Sequence, residues 1–512
     1  MSSIEANETA RAAMDLDDGY VREIEYTHGY CGDLAPSIID LACLSRGVAP
    51  PLGRRPLRYL ELAFGQGVSV NIHAAASGGE FWGIDYNPAH AANARDLANA
   101  SGSGARLSGE SLESFAARAD VPQFDAIALH GTWSWVAQRN RDLVVDIVRR
   151  SLAPGGAFFV SYNCLAGWAT QLPLRHLLVQ HAALAATPGQ RLEDKIDAAL
   201  RFARALADAG AKYFDDHAEV SRWLDDMCSR SRSYLAHEYF NRDWHPMPSA
   251  DVAGALAAAN LTFAASATVA ENTAGAGLSE EGRAVLAGIR HPVMRETAGD
   301  YLVNRLFRRD IFLRGPSMLA PAARDERLGN LPFVLLQHPD HVPATMTVAG
   351  TETALPPEVR RPFVEVLALD GYAPKTLRQV GSHPDCRAIG FERLVEMALL
   401  LTSAGAAHPA QPQTQIETAA PRCRALNTRI LERACLGGNA SFLASPVTGA
   451  GLFVARQEML FLRSIALGHL VEDEWARHAS GFMPASDPAV LQSNARAFAR
   501  IRLPVLKALR VA

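Results

Sequence analysis

The sequence predicts an α/β protein built on a doubly wound, largely parallel sheet. Three observations predict it. Apolar strand-like runs alternate with helix-like runs through short joints from residue 57 to 163, the pattern of parallel strands joined by crossover helices. The strand LRYLELAF (57–64) runs into a glycine turn and then a helix, which exposes backbone N–H groups to a ligand. The next strand, in WGIDYN, closes on an acid, Asp85. At 512 residues the chain exceeds one compact core. The expected division is 1–170 for an N-terminal cap and ligand-binding core and 171–318 for a helical insertion with the last strands of the core sheet. The remainder, 319–512, is expected to be a separate, mainly helical C-terminal region with a winged-helix-like segment.

Each element has a local reason. LAPSIIDLACLSRG (34–47) reads as a helix that begins after Pro36 and stops at Gly47. After the proline-rich loop that follows, LRYLELAF is a strand, SVNIHAAASG a helix and EFWGIDYN a strand. PAHAANARDLANASG is a helix with proline in its first turn. FDAIALHG is a strand, NRDLVVDIVRRSLAPGG a helix closed by Pro154 and Gly155–Gly156, and AFFVSYN a strand. Residues 171–245 are helical in pattern, and SADVAGALAAAN is a further helix. LTFAASATVAEN and RRDIFLRG (308–315) are expected to close the first sheet. Residues 372–409 have the short helix, loop, long helix and turn of a winged helix-turn-helix.

Composition narrows the function. Hydrophobic residues are 48%, charged residues 20% and net charge −4, so nothing basic calls for a nucleic-acid partner. Seven cysteines show no CxxC spacing, which points away from a disulfide framework or zinc site and toward a reducing cytoplasm. The first twenty residues lack the basic and apolar parts of a secretory leader, and no apolar run has membrane-spanning length. A cytoplasmic protein with no membrane partner is expected.

The turn carries the chemistry. Gly65–Gln66–Gly67 lacks the third glycine of a dinucleotide loop, and no GK[ST] follows. Glu61, in the strand before the turn, would repel a pyrophosphate and would suit an ammonium or a sulfonium. Asp85 is placed to accept hydrogen bonds from ribose hydroxyls. Taken singly, Glu61 also reads as a solvated strand end and Asp85 as a helix cap ahead of Pro88. Taken together, Glu61, Gly65, Gly67 and Asp85 describe S-adenosyl-L-methionine better than NAD.

On these residues, segment 57–168 resembles the class I S-adenosylmethionine-dependent methyltransferases. ELAFGQG matches the family loop E/DxGxGxG except at Ala63, which replaces its first glycine. GIDYNP matches the ribose motif through Asp85 and Tyr86, and GESLESF puts Glu110 and Ser111 where the family contacts adenine. His130 and Gly131, opening the loop after FDAIAL, fall at the same site. The resemblance implies a Rossmann-like core, S-adenosyl-L-methionine as cofactor and S-adenosyl-L-homocysteine as product. Nearly the whole chain is also similar to a bacterial group with a methyltransferase regulatory domain, which includes protein-lysine methyltransferases of rickettsial outer-membrane proteins. YTHGYCGDLAPSIIDLACLSRG, FDAIALHGTWSWV, FFVSYNCLAGW and YLAHEYFNRDWHPMPSADVAGAL carry this likeness, and LASPVTGAG (443–451) fits it more loosely.

The acceptor should sit over the strand ends, where HGTWSWV and SYNCLAGW offer His130, Trp133, Trp135, Tyr162 and Asn163. Trp and Tyr faces attract alkylammonium groups, and Asn163 offers a carbonyl to an amine. His130 reads as a base or as structural. On a strand, WSW puts both tryptophans on one face, either packed or at the acceptor. In YTHGY, which also holds His28, Tyr26 and Tyr30 read either as packing the first helix on the sheet or as a lid over the cofactor, the lid being favoured for Tyr30. HEYFNRDWHP holds His237, Glu238, Asp243 and His245 at a spacing that matches no zinc motif. It reads as a turn or acceptor-channel wall, and no metal is expected. Lys375 and Arg378 are thin for phosphate contacts and fit a domain interface. The leading expectation is a protein-lysine N-methyltransferase acting on outer-membrane or surface proteins, with a homodimer through the helical insertion. The alternatives are a small-molecule methyltransferase and a non-catalytic cofactor-binding regulator.

Overall fold

The computed structural model describes residues 29–512 except 54–55, 186, 188, 242, 274–276 and 439–440. Tyr26 and His28 lie outside the described residues. Seven strands form the central sheet: β1 (Arg58–Leu62), β2 (Glu80–Ile84), β3 (Arg106–Ser108), β4 (Phe124–Leu129), β5 (Leu152–Asn163), β6 (Thr262–Ser266) and β7 (Phe307–Leu313). Their order is β3-β2-β1-β4-β5-β7-β6. The first five are parallel, and β7 lies antiparallel between β5 and β6. The winding reverses between β1 and β4, which opens a crevice at their carboxyl ends.

Helices cover both faces. On one side pack α1 (Pro36–Ser45), α2 (Val68–Ser77) and α3 (Pro88–Ser101), whose Ile39, Val70, Ala74 and Ala94 join Tyr59 and Phe81 of the sheet. On the other side lie α4 (Leu112–Ala116) and α5 (Gln138–Ser151). In α5, Val144, Ile147 and Val148 at helical spacing face Leu60, Leu62 and Phe158. The strand expected to start at Ala157 begins at Leu152. Gly155 N–H donates to the Arg314 carbonyl and Arg314 N–H to the Gly156 carbonyl, at 2.7 and 3.1 Å, so pairing at the end of β7 extends β5 through the proline–glycine stretch.

Between β5 and β6, helices Leu172–Leu184, Leu192–Asp208 and Ala218–Ser229 build their own core from Leu174, Leu178, Ile196, Leu200 and Leu224. In the C-terminal region, strand Pro332–Leu335 pairs antiparallel with Lys375–Thr376 and Ala407–Pro409. Helices Leu377–Ser382 and Phe391–Ser403 lie between the latter two. The basic residues here are engaged at the surface, and Arg378 is exposed. Lys375 Nζ donates to the Leu369 carbonyl at 2.7 Å, and Arg393 pairs with Glu358 at 2.7 Å. The long helix Gln413–Cys435 lies across α2 and α3, where Ile416, Leu426 and Ile430 share a cluster with Val68, Ile72 and Leu97. Among the described residues no helix is long and apolar enough to cross a membrane.

Candidate active site

The carboxyl ends of β1, β2 and β4 open into a cavity of about 730 Å³. Strand alternation sends Leu60 and Leu62 to one face and Tyr59 and Glu61 to the other. In register, Glu61 lies beside Gly83 on β2 and Ala128 on β4, and neither offers its carboxylate a polar partner. Glu61 is 4% exposed and its Oε2 has no hydrogen-bond partner, so the solvated strand end of the sequence reading does not hold. Burial, and then the charge of Asp85, push its pKa up to about 8. A buried carboxylate without a partner is unfavourable by itself and is suited to a cation that enters the cavity.

The turn after β1 is left-handed at three positions: Ala63 (φ 54°), Gly65 (φ 60°) and Gly67 (φ 73°). An L side chain there costs roughly 1–2 kcal/mol, and Ala63 bears that cost where the resembled loop has glycine. Hydrogen bonds from Phe64 N–H to the Ile84 carbonyl (3.3 Å) and from Gly67 N–H to the Phe64 carbonyl (3.0 Å) hold the turn. Gly67 does not line the cavity. It caps α2, where a Cβ would lie 2.4 Å from Ala94 Cβ, so its role is packing.

Asp85 joins two turns. Its Oδ2 accepts Gly65 N–H at 2.8 Å, and its Oδ1 accepts Asn87 N–H at 2.9 Å and meets His90 Nδ1 at 3.2 Å. It is not the cap of α3, because Asn87 Oδ1 accepts Ala89 N–H there at 2.9 Å. A carboxylate has about four acceptor directions, so capacity remains on Oδ2. Tyr86, Glu110 and Ser111 continue the wall. Glu110 pairs with Arg118 at 3.1 Å, and Ser111 Oγ caps α4 through Ser114 N–H.

After β4, His130 and Gly131 line the cavity, held by a residue that sequence reasoning missed. Ser161 Oγ, fully buried on β5, accepts Gly131 N–H at 2.7 Å and lies 2.9 Å from His130 Nδ1. Burial, and then the nearby Arg309, pull the His130 pKa down to about 4, so the ring is neutral near pH 7. A polar residue inside the apolar run AFFVSYN was the available signal.

The remaining acceptor candidates separate. Trp133 to Trp135 is a 3₁₀ turn rather than a strand, so the two rings part company. Trp133 is 1% exposed in the core beside Val160 and Phe312, which is packing. Trp135 lines the cavity and leans on Trp244, ring centroids 5.6 Å apart. Tyr162 and Asn163 do not line it. The Tyr162 hydroxyl donates to Asp310 Oδ2 at 2.7 Å inside the sheet, and Asn163 N–H donates to Ser134 Oγ at 2.9 Å. At the front, Gly29, Tyr30, Cys31 and Leu34 close one end of the cavity, with Cys31 N–H donating to Ser69 Oγ at 2.9 Å. Glu238 lines the wall from helix Arg232–Tyr239. Among the described residues no three His, Cys, Asp or Glu side chains are grouped as a metal site.

Comparison with known proteins agrees with this geometry. Residues 60–156 match a family model described as a methyltransferase domain, and residues 231–314 one described as a predicted methyltransferase regulatory domain. The protein sll1526 of Synechocystis sp. is 32% identical over 451 residues, 88% of each chain. This chain belongs to the class I S-adenosylmethionine-dependent methyltransferases with a regulatory domain. The solved structure of PKMT2 from Rickettsia typhi in complex with AdoHcy shares the fold of this methyltransferase at a TM-score of 0.63 and 16% identity, with 96% of this chain and 98% of that one covered. The same protein without that ligand gives 0.63 at 14% identity, over 96% and 99%. The enzyme transfers a methyl group from S-adenosylmethionine, and the buried unpartnered Glu61, the left-handed turn and Asp85 fit that cofactor's cationic and ribose parts.

Proposed function

We propose that this methyltransferase modifies lysine side chains of bacterial outer-membrane or surface proteins. The observation that carries the proposal is the charge of the cavity wall. Apart from Glu61, Asp85 and Glu110 at the cofactor end, its described lining residues include the carboxylates Glu113, Asp142, Asp146 and Glu238 against one arginine, Arg139. Glu110 and Asp146 are partly offset from behind by Arg118, Arg149 and Arg150. The wall still favours a cationic acceptor over an anionic one. The motif likeness to a group containing protein-lysine methyltransferases, and the fold shared with R. typhi PKMT2, support the same reading.

When bound, S-adenosylmethionine supplies a methyl group already attached to a good leaving group. The protein's task is therefore alignment and charge control. Glu61 would hold the ammonium of the cofactor's methionine part, Asp85 the ribose hydroxyls, and the Glu110–Ser111 segment the adenine edge. The Trp135 face and Glu238 would guide an alkylammonium to the donor. A lysine ammonium has a pKa of about 10.4 and must shed a proton before attack. With a pKa near 4, His130 is a poor acceptor for that proton, which leaves through solvent at the open mouth. The neutral ring instead orients the amine.

The test is transfer of labelled methyl from the cofactor to a denatured outer-membrane extract. The expected result is label retained as methyl-lysine after complete hydrolysis of the protein. Label confined to the small-molecule fraction would overturn the proposal in favour of a metabolite acceptor. Cofactor binding with no transfer to any fraction would overturn it in favour of a regulator.

A further inference from the structure

The C-terminal region also reaches the cofactor end of the cavity, through one side chain. Tyr30 lines the cavity near Glu61, whose charge it senses. Its ring packs against Phe442 at 4.9 Å between centroids, and its hydroxyl accepts Gly451 N–H at 2.7 Å. Phe442 and Gly451 belong to an antiparallel hairpin, Phe442–Ser445 with Ala450–Phe453. Across the ring, the hydroxyl lies 3.1 Å from His73 Nε2 on α2. Burial, and then the charge of His408, pull the His73 pKa down to about 3. The ring is therefore neutral, and its Nε2 can accept the tyrosine proton. The fit is tight, since a Cβ on Gly451 would lie 2.8 Å from the Tyr30 ring.

We propose that the hairpin is a wall of the cofactor site: Gly451 is a positioning residue that seats Tyr30 over the methionine end of S-adenosylmethionine. This rests on the family's cofactor and not on the identity of the acceptor. Residues 421 apart in sequence meet at this contact. It gives the C-terminal region a part in binding the donor. The neighbouring Cys31 N–H to Ser69 bond and the ion pair of Asp33 with Arg309 (3.1 Å) fix the same segment from the core. Tyr30 is thus held from both sides of the molecule.

The test is titration calorimetry of S-adenosylhomocysteine with the full chain. Gly451→Ala is expected to displace the ring and weaken binding by about tenfold. Tyr30→Phe, which loses both hydroxyl bonds and keeps the ring, is expected to lose less. In a Tyr30→Ala background, Gly451→Ala should cause no further loss, because the residue through which it acts is gone. Wild-type affinity in a folded Gly451→Ala protein would overturn the proposal. So would an equal loss in both backgrounds. If Gly451→Ala does not fold, the decision falls to Tyr30→Phe, with unchanged affinity overturning the proposal and a loss supporting it. Wild-type protein that bound no S-adenosylhomocysteine would count against the cofactor assignment itself.

Discussion

Two places in the same sheet bury carboxylates, and they are built in opposite ways. On β7, Arg308 sits among three acids. Its Nε donates to Asp310 Oδ2 at 2.8 Å, Nη1 to Asp300 at 2.6 Å and Nη2 to Glu296 at 2.9 Å. Tyr162 adds its hydroxyl to Asp310. Arg308, Asp310, Asp300 and Glu296 all lie within the regulatory-domain match, and the Tyr162 hydroxyl on β5 ties the network to the preceding strands. One oxygen of Asp300 and one of Glu61 on β1 are alike buried without a hydrogen-bond partner, but Asp300 is paired with Arg305 and Arg308, whereas among the described residues Glu61 faces no cation. Burial is common to both. The difference is whether the protein or a ligand completes the charge. A completed cluster holds the structure together, and an incomplete one is left for a ligand.

The largest effect should come from breaking the completed cluster. Arg308→Met strands Asp310 inside the protein without its cation and leaves Asp300 to Arg305 alone. Removing one partner of a buried ion network typically costs about 3–5 kcal/mol. A thermal unfolding midpoint several degrees lower is expected, with S-adenosylhomocysteine affinity in the still-folded protein little changed. A midpoint within a degree of wild type would erase the distinction between the two sites.

Glu61→Gln should do the reverse. Affinity for S-adenosylhomocysteine is expected to fall by about a hundredfold, near 2.7 kcal/mol, while the ligand-free protein gains stability. The sign follows from the pKa, which is about 8 in the folded protein against 4.5 for the ordinary group. The folded state therefore holds the proton more tightly. Its contribution to stability is complete below pH 4.5 and is lost as pH rises through about 8. Without ligand, the wild-type midpoint should decline across that window relative to Glu61→Gln. Near pH 7, ligand binding to wild type should release up to about one proton, read by calorimetry in buffers of different ionisation heat. Parallel pH profiles for the two proteins would show that Glu61 is not the titrating group.

How far the sequence reveals this division depends on distance along the chain. Glu61, Gly65 and Asp85 were legible because each sits at a strand end, where local pattern alone sets its position. Asp85 and Gly65 meet through a bond that links two successive strand ends. Trp133 was misplaced because the backbone of TWSW turns into a 3₁₀ helix, and period-two alternation no longer applies. Tyr162 was read as an acceptor contact because its partner, Asp310, arrives on a strand 148 residues later. Ser161 was missed for a related reason: it serves the loop of another strand. Glu238 was named as part of a turn or channel wall, and it enters the cavity wall from a helix of the regulatory half. Tyr30 was legible as a candidate for the cofactor end and does line the cavity, but its contact with Gly451 was not legible, since no local pattern links the two.

The smallest predicted effect asks whether other unfavourable features at the cofactor end are also there for the ligand. Ala63 holds φ 54° at the turn that Glu61 precedes. Ala63→Gly removes the steric cost of a left-handed alanine, and the extra freedom of glycine in the unfolded chain offsets part of the gain. A net stabilisation of up to about 1 kcal/mol is expected, seen as a small rise in the unfolding midpoint. Affinity for S-adenosylhomocysteine separates the two explanations. If it stays within about twofold, the methyl group is a tolerated strain and the functional tension of this end resides in Glu61 alone. If affinity falls while the midpoint rises, the alanine side chain touches the ligand, and the strain belongs with Glu61 among the features that only a bound cofactor relieves.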